Sequence, residues 1–305
     1  MRMSSLILAA FAAVALCATA ETNDVERIPE LPECVRAMGM RTSVTLPLTN
    51  GVVYYYGRFD DLYDLTNDLH LLRIDYRRSP VRMRFVDSTT QRMSSRRMPT
   101  SKIAAEYSAL FGINGTFEGG SVFAPTPQGF TRYRGTNIPC GTGEFGGIAI
   151  SAGGGTFSFA PKWNGANSAD WSDVITSEAY GLHNGRLAWG PQLANVFGRA
   201  NYTFAGTTPA GVIWIGVVDG RRPGISEGLN YYYVCRLLQD LGCSEGMCFD
   251  GGGSSTLVIR RNLLPAEPVA GTQRTSKFSA DYCTMNALAD GHERAVINQL
   301  LFVPK

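Results

Sequence analysis

The chain has 305 residues, 18% of them charged and 44% hydrophobic, with a formal net charge of +2 at pH 7. That balance belongs to an ordinary folded protein with a sizeable core, and it excludes both an unfolded polyelectrolyte and a chain held to nucleic acid by bulk charge. The three histidines, His70, His183 and His292, are scattered and no Cys-x-x-Cys pair occurs, so neither a metal nor a cofactor is expected.

In chain order, Arg2, the apolar run Leu6 to Leu16 and Ala18-Thr19-Ala20 make up the charged, apolar and cleavage regions of an export signal spanning residues 1–20. No other apolar run approaches the length of a membrane span. Beyond Cys17, six cysteines remain (Cys34, Cys140, Cys235, Cys243, Cys248 and Cys283), and an even count in an exported chain predicts that most are paired, with Cys243 and Cys248 candidates for each other. Residues 21–50 read as an irregular lead-in and residues 51–305 as one domain.

From Gly51 the pattern is β. Val52 to Tyr56, the Leu72, Ile74, Tyr76 alternation and the Val81, Met83, Phe85 alternation predict an antiparallel sheet with one wet face, and the eight arginines from Arg73 to Arg97 read mainly as that solvated side. A helix is predicted from Pro99-Thr100-Ser101 through Phe111, with Ser101 as N-cap, handing over to a short strand at Ile113-Asn114-Gly115-Thr116-Phe117-Glu118. Gly146 to Ile150 and Thr156 to Phe159 are short strands in a loop-rich stretch, and Gly190-Pro191-Gln192-Leu193 is a turn. Gly211 to Val218 is an apolar strand buried on both faces, ending at Asp219-Gly220-Arg221-Arg222. A second helix, Leu229 to Leu241 with Ser226 near its start, leads into Met247 to Thr256, and Ala295 to Val303 closes the chain as a strand after Glu293-Arg294. The predicted class is α+β, a single domain with a twisted, mainly antiparallel mixed sheet and packed helices.

The chemistry concentrates in Phe249-Asp250-Gly251-Gly252-Gly253-Ser254-Ser255. Three successive glycines cost much entropy unless the backbone turns sharply or approaches a ligand, and their N–H groups can form an anion-binding nest behind the Asp250 carboxylate. A plain hairpin between Cys248 and Leu257 is the alternative. Asn114 and Asp219 share the grammar of a polar residue at a strand end beside glycine. Both Asn114-Gly115-Thr116 and Asn201-Tyr202-Thr203 are also glycosylation sequons.

Together, Val217-Val218-Asp219-Gly220-Arg221, Ile225-Ser226-Glu227-Gly228, Leu241-Gly242-Cys243 and the Asp250 loop resemble the phosphodiester glycosidase family, as do Asn114 to Phe117, Gly190 to Leu193, Asn286 and Glu293-Arg294. The resemblance runs from about Leu71 to the C-terminus. It implies hydrolysis of a sugar-1-phosphodiester to free sugar and a phosphomonoester, with a sugar-phosphate or glycan substrate; the near-neutral charge and the lack of a further long apolar run lead to the expectation of no nucleic-acid partner and no membrane span. It further implies Asp250 near the anomeric carbon, Glu118 or Asp219 as a second carboxylate, Arg221, Gly251, Gly252, Gly253 and Ser254 at the phosphate with Arg294 as a second cation, and Asn114, Gly115 and Ser226 as further substrate contacts.

Two departures stand out. Where the family has Arg-Thr, this chain has Tyr202-Thr203, so the arginine is either lost or supplied by Arg199; Glu118 stands where Asp is usual. A non-catalytic exported glycan-binding protein on the same fold is the rival reading. A serine hydrolase using Ser254 is weaker, since no Gly-x-Ser-x-Gly or well-placed histidine is present.

Overall fold

A computed structural model describes residues 28–89, 97–121, 123–141, 143, 145–192 and 198–305. The expected export signal, Arg92, Arg96 and Leu193 lie outside them. The strand ladders are antiparallel and form three main sheets. The largest runs Met40–Thr49, Val52–Phe59, Asn67–Asp75, Val212–Val218, Tyr202–Thr207, Glu245–Gly251, Ala179–His183, Arg186–Leu187. A six-stranded sheet runs Arg274–Thr275, Tyr282–Thr284, Leu257–Arg260, Phe111–Asn114, Asn298–Pro304, Val81–Asp87, and a five-stranded one includes Gly146–Ile150, Phe157–Ala160 and Asp173–Ser177.

The β-rich sequence explains how these sheets stack. Along Val52–Phe59, Val52, Tyr54 and Tyr56 enter a core shared with Phe85, Phe111, Leu257 and Leu300, whereas Val53, Tyr55 and Phe59 enter a second core with Val234, Leu237 and Leu238. The expected wet face is therefore covered: the strand is apolar or aromatic at nearly every position, and its second face shares a core with Leu31, Val35, Leu62 and Trp214. Val212–Val218 lies centrally between Asn67–Asp75 and Tyr202–Thr207, as its continuous apolar run predicts. Of the expected lead-in, the described residues 28–50 are less irregular than expected, since Met40–Thr49 forms a ten-residue edge strand along Val52–Phe59. Its alternating exposed residues disguised it in the sequence. Among the described residues, no helix is long and apolar enough to cross a membrane.

Both helix starts differ from expectation. Tyr231–Asp240 is capped by Asn230, whose Oδ1 accepts from the Tyr233 N–H at 3.0 Å, while Ser226 lies upstream in a buried turn. The other helix is only Thr100–Glu106; Ser108, at φ 51°, turns the chain toward the strand that opens at Phe111. Ser101 is inside its first turn. The cap comes from 192 residues away, where the buried Glu293 carboxylate accepts from Ser101 N at 2.6 Å, from Ser101 Oγ at 2.7 Å and from Ser276 Oγ at 3.1 Å. Burial raises the Glu293 pKa and these donors counter the rise.

The six cysteines Cys34, Cys140, Cys235, Cys243, Cys248 and Cys283 stand as thiols. The expected Cys243–Cys248 pair is not formed. Cys248, inside a strand, turns toward Cys235 on the helix and shares a hydrogen bond with it, whereas Cys243 precedes that strand and lies over Gly206.

Glu293→Ala strips the Thr100–Glu106 helix of its cap and leaves a buried N–H without a partner. It is expected to lower unfolding free energy by about 2–3 kcal/mol in urea titrations.

Candidate active site

The strand that ends at Asp250 and Gly251 belongs to the eight-stranded sheet, and the strand that begins at Leu257 belongs to the six-stranded sheet. The glycine segment is thus a crossover between sheets, which rules out the hairpin. Gly252 sits at φ 60° and opens a single 3₁₀ turn through Ser254. A Cβ on Gly252 would lie 3.2 Å from both terminal nitrogens of Arg221, and one on Gly253 would collide with Arg294 and Asp290. Glycine here is what lets two guanidinium groups reach the backbone.

Asn114 holds the crossover in place. It ends the Phe111–Asn114 strand of the six-stranded sheet and is wholly buried. Its Oδ1 accepts from Thr203 Oγ1 at 2.6 Å and from Thr256 N at 3.0 Å, while its Nδ2 donates to the Asp250 carbonyl at 2.8 Å. Gly115 completes the clamp, its carbonyl accepting from Asp250 N at 3.0 Å and its own N–H donating to the Asn298 carbonyl at 2.9 Å. Both residues are committed to protein partners and offer no free group to a sugar, which corrects their expected role. The carboxamide also cannot serve as a glycan acceptor in the folded chain, and the same burial applies to Asn201.

Asp250 itself is only partly buried. Burial pushes its pKa up to about 6, against the pull of hydrogen bonds from the Ser254 hydroxyl and the Gly251 N–H, the latter at 2.8 Å; Arg294 lowers it and Glu118 raises it. Glu118 is therefore close enough to feel the Asp250 charge, and it is itself held by Arg97 Nε at 2.9 and 3.1 Å. Arg221, in the left-handed region at φ 57°, is exposed, and among the described residues no carboxylate lies within ion-pair distance of it. Arg294 is partly neutralised by Asp290 at 2.6 Å and reaches Ser254 Oγ at 3.5 Å. Ser254 is buried between Asp250 and Arg294.

Asp219 and Ser226 do not join this face. The Asp219 carboxylate is fully buried, accepts from the Ala287 N–H at 3.0 and 3.1 Å, and lies 3.6 Å from both His70 Nε2 and Arg222 Nη1. Ser226 is equally buried, donating to the Asp219 carbonyl at 2.8 Å and accepting from Asp68 N at 3.0 Å. They brace the turn that aims Arg221. Arg199 pairs with Glu227 at 3.3 Å, so it does not replace the arginine missing at Tyr202. The Tyr202 ring lies on Gly251 instead.

Sequence reasoning assigned no role to Thr203, Asn286 or His70. Asn286 accepts from Leu257 N at 2.8 Å and donates to the Ser255 carbonyl at 2.9 Å, so it fixes the far end of the crossover. His70, wholly buried, links Tyr54 at 2.9 Å to Asp219. Thr203 carried a signal, since it is the half of the Arg-Thr pair that this chain keeps. A lone histidine inside an apolar strand carried none.

With the geometry in view, the class is an antiparallel β protein whose glycine crossover carries a half-buried carboxylate beside two arginines. Residues 107–303 match the phosphodiester glycosidase family model, and the chain belongs to that family. No curated protein matches it. Among solved structures it resembles a hypothetical protein from Synechocystis (TM-score 0.65, 12% identity, covering 87% of this chain and 64% of that one), so it spans less than two thirds of that chain. It also resembles a putative exported protein from Burkholderia pseudomallei (TM-score 0.59, 13% identity, 92% and 99%). A third likeness is to the catalytic domain of zebrafish N-acetylglucosamine-1-phosphodiester alpha-N-acetylglucosaminidase (TM-score 0.57, 16% identity, 87% and 88%). These likenesses are of fold.

The raised pKa of Asp250 has a stability consequence with a definite sign. The folded state holds this proton more tightly than the unfolded chain, so its contribution is full below an ordinary carboxyl pKa of 3.8 and is lost as pH rises through about 6. Asp250→Asn removes the buried charge and is expected to raise Tm at pH 7.5 by about 2–4 °C, with the gain vanishing near pH 4. Thermal unfolding of both forms across pH checks this.

Proposed function

We propose that the chain is an exported hydrolase that cleaves the glycosidic bond of a sugar-1-phosphodiester, giving free sugar and a phosphomonoester in glycan or exopolysaccharide processing. The observation that carries this reading is the half-buried Asp250 carboxylate next to a glycine turn over which the Arg221 guanidinium lies, with no acidic partner among the described residues. A sugar-1-phosphodiester puts an anion one bond from the anomeric carbon, which is the juxtaposition such a site suits. The export signal expected at residues 1–20 would deliver the enzyme out of the cytoplasm.

Arg221, the Gly252–Gly253 backbone and Arg294 hold the phosphate oxygens. As the bond from the anomeric carbon to the phosphate oxygen breaks, its electron pair leaves with the phosphomonoester, and the arginines offset that charge. A phosphomonoester is a good leaving group, so strong general-acid help is unnecessary. Asp250, ionised, faces the oxocarbenium-like carbon, and water supplies the hydroxyl of the released sugar. Of the two candidates for a second carboxylate, Glu118 is favoured over Asp219, because it influences Asp250 electrostatically while Asp219 is sequestered.

Asp250→Asn is expected to cut kcat on a sugar-1-phosphodiester by about a hundredfold or more while the protein stays folded. Parental turnover by that variant removes Asp250 from the mechanism. In the parent protein kcat/KM should climb about tenfold per pH unit below pH 6 and level off above it, because the ionised form is the active one. Arg221→Ala should raise KM, with a total loss of about 2 kcal/mol in kcat/KM. A folded parent protein that binds glycans and releases no sugar from any such diester would make it a binding protein.

A further inference from the structure

Along Val81–Asp87, the edge strand of the six-stranded sheet, Met83 and Phe85 turn into the core, so alternation turns Arg82 and Arg84 the other way. Where this strand meets the five-stranded sheet, a cavity of about 160 Å³ opens, and Arg82, Arg84 and Arg134 all line it. Ser151, Ser172 and Asp173 are its other polar side chains.

The third arginine reaches the cavity from an uncommon backbone. Arg134 and Gly135, at φ 50° and 78°, form the two-residue turn between the strands Thr131–Tyr133 and Thr136–Ile138. The first position of such a turn ordinarily takes Asn, Asp or Gly. Here an arginine is held there, its N–H donating to Asp173 Oδ1 at 2.7 Å. Its guanidinium carbon lies 5.2 Å from the centre of the Tyr133 ring, and that of Arg84 lies 4.6 Å from the centre of the Tyr107 ring. A ring contact restrains a guanidinium without giving its N–H groups an oxygen.

Asp173 is the one carboxylate in this wall, and it is already engaged. Besides the Arg134 N–H it accepts from Ser172 Oγ at 3.2 Å. Burial raises its pKa, opposed by those two hydrogen bonds and by the charges of Arg84 and Arg134. Among the described residues, no carboxylate lies within ion-pair distance of Arg82, Arg84 or Arg134. The strand edge adds a backbone donor. Met83 N–H faces outward, donating to Tyr76 Oη at 2.7 Å, so the Phe85 N–H two residues on faces the same open side.

Three guanidinium groups around one occupied carboxylate leave positive charge and spare N–H donors facing a space of roughly five water volumes, at about 30 Å³ each. That suits a single oxyanion group, with any carrier outside. The strand Asn298–Pro304 sets its separation from the candidate active site: Asn298 bonds to Gly115 at one end and Val303 pairs with Arg82 at the other, a span of about 17 Å.

We propose that this cavity is a second binding site, separate from Asp250, which takes one phosphate or carboxylate group through Arg82, Arg84 and Arg134. The proposal is independent of the glycosidase reading, since binding here needs no turnover.

Calorimetric titrations of the full-length chain with inorganic phosphate and with galacturonate test it, in an Arg221→Ala background that weakens anion binding at the glycine crossover. Arg84→Gln and Arg134→Gly should each weaken the tighter of the two ligands about tenfold, the loss expected for one charge-assisted contact. Glycine suits the left-handed turn, so Arg134→Gly should keep its Tm within about 3 °C of the background, which separates lost binding from lost structure. Tighter binding of phosphate marks a phosphorylated ligand and tighter binding of galacturonate a carboxylated one; either supports the site. Unchanged affinity in a folded Arg84→Gln or Arg134→Gly protein, or no binding of either anion in the Arg221→Ala background, overturns the proposal.

Discussion

One buried carboxamide sets the geometry of the whole site. Asn114 belongs to the six-stranded sheet, yet it bonds to Thr203 and Asp250 of the eight-stranded sheet and to Thr256 at the start of the return strand. Only a side chain with both donor and acceptor can meet a hydroxyl, a backbone N–H and a carbonyl at once. An aspartate would lack the donor for the Asp250 carbonyl, and an apolar residue would orphan all three groups in a dry seam. The seam is thus closed by polar bonds at one end and by Phe111, Ile113, Leu257 and Phe249 in the core behind it. Asn286 closes the other end through Leu257 and Ser255, and Asp219 holds Asn286's neighbour Ala287. The crossover is suspended between these two clamps.

Suspension of this kind lets the loop tolerate features that oppose stability. A carboxylate raised to about 6 is an ionised group kept partly out of water at neutral pH, and Arg221 occupies a backbone region that costs a non-glycine residue roughly 1–3 kcal/mol. Neither would persist in a mobile loop, where solvent and rotation would relieve both. The segment at Glu293 and Arg294 shows the same division of labour on adjacent residues. Glu293 turns inward to cap a helix, which fixes the backbone from which Arg294 turns outward to Ser254.

Much of the fold was legible where hydrophobic pattern alone decided it. The central Val212–Val218 strand, the short Gly146–Ile150 strand and the terminal Asn298–Pro304 strand all lie where continuous or alternating apolar residues place them. What escaped was non-local. That Val52–Phe59 is buried on both faces depends on partners such as Leu31, Val35 and the distant Trp214, and the cap of Thr100–Glu106 depends on Glu293; neither leaves a mark in the local sequence. Met40–Thr49 escaped because an edge strand with exposed alternate positions has the composition of a loop. Cys248 was matched to its neighbour in sequence, though strand direction turned it toward Cys235.

The site was legible in a more particular sense. A polar residue beside glycine at a strand end picked out Asn114, Asp219 and Asp250 alike, and all three do lie along one connected set of hydrogen bonds. Yet two of the three face inward. The difference comes from the residues on the C-terminal side of each. After Asn114 and Asp219 the chain folds back onto protein that can satisfy the side chain, since Thr256, Thr203 and Ala287 all supply partners. After Asp250 three glycines leave no side chain to cover the carboxylate, and the groups that reach the turn are cations and an aromatic ring. A single glycine beside a polar residue therefore marks the frame of such a site, whereas the unbroken glycine run marks the place where the frame is left open.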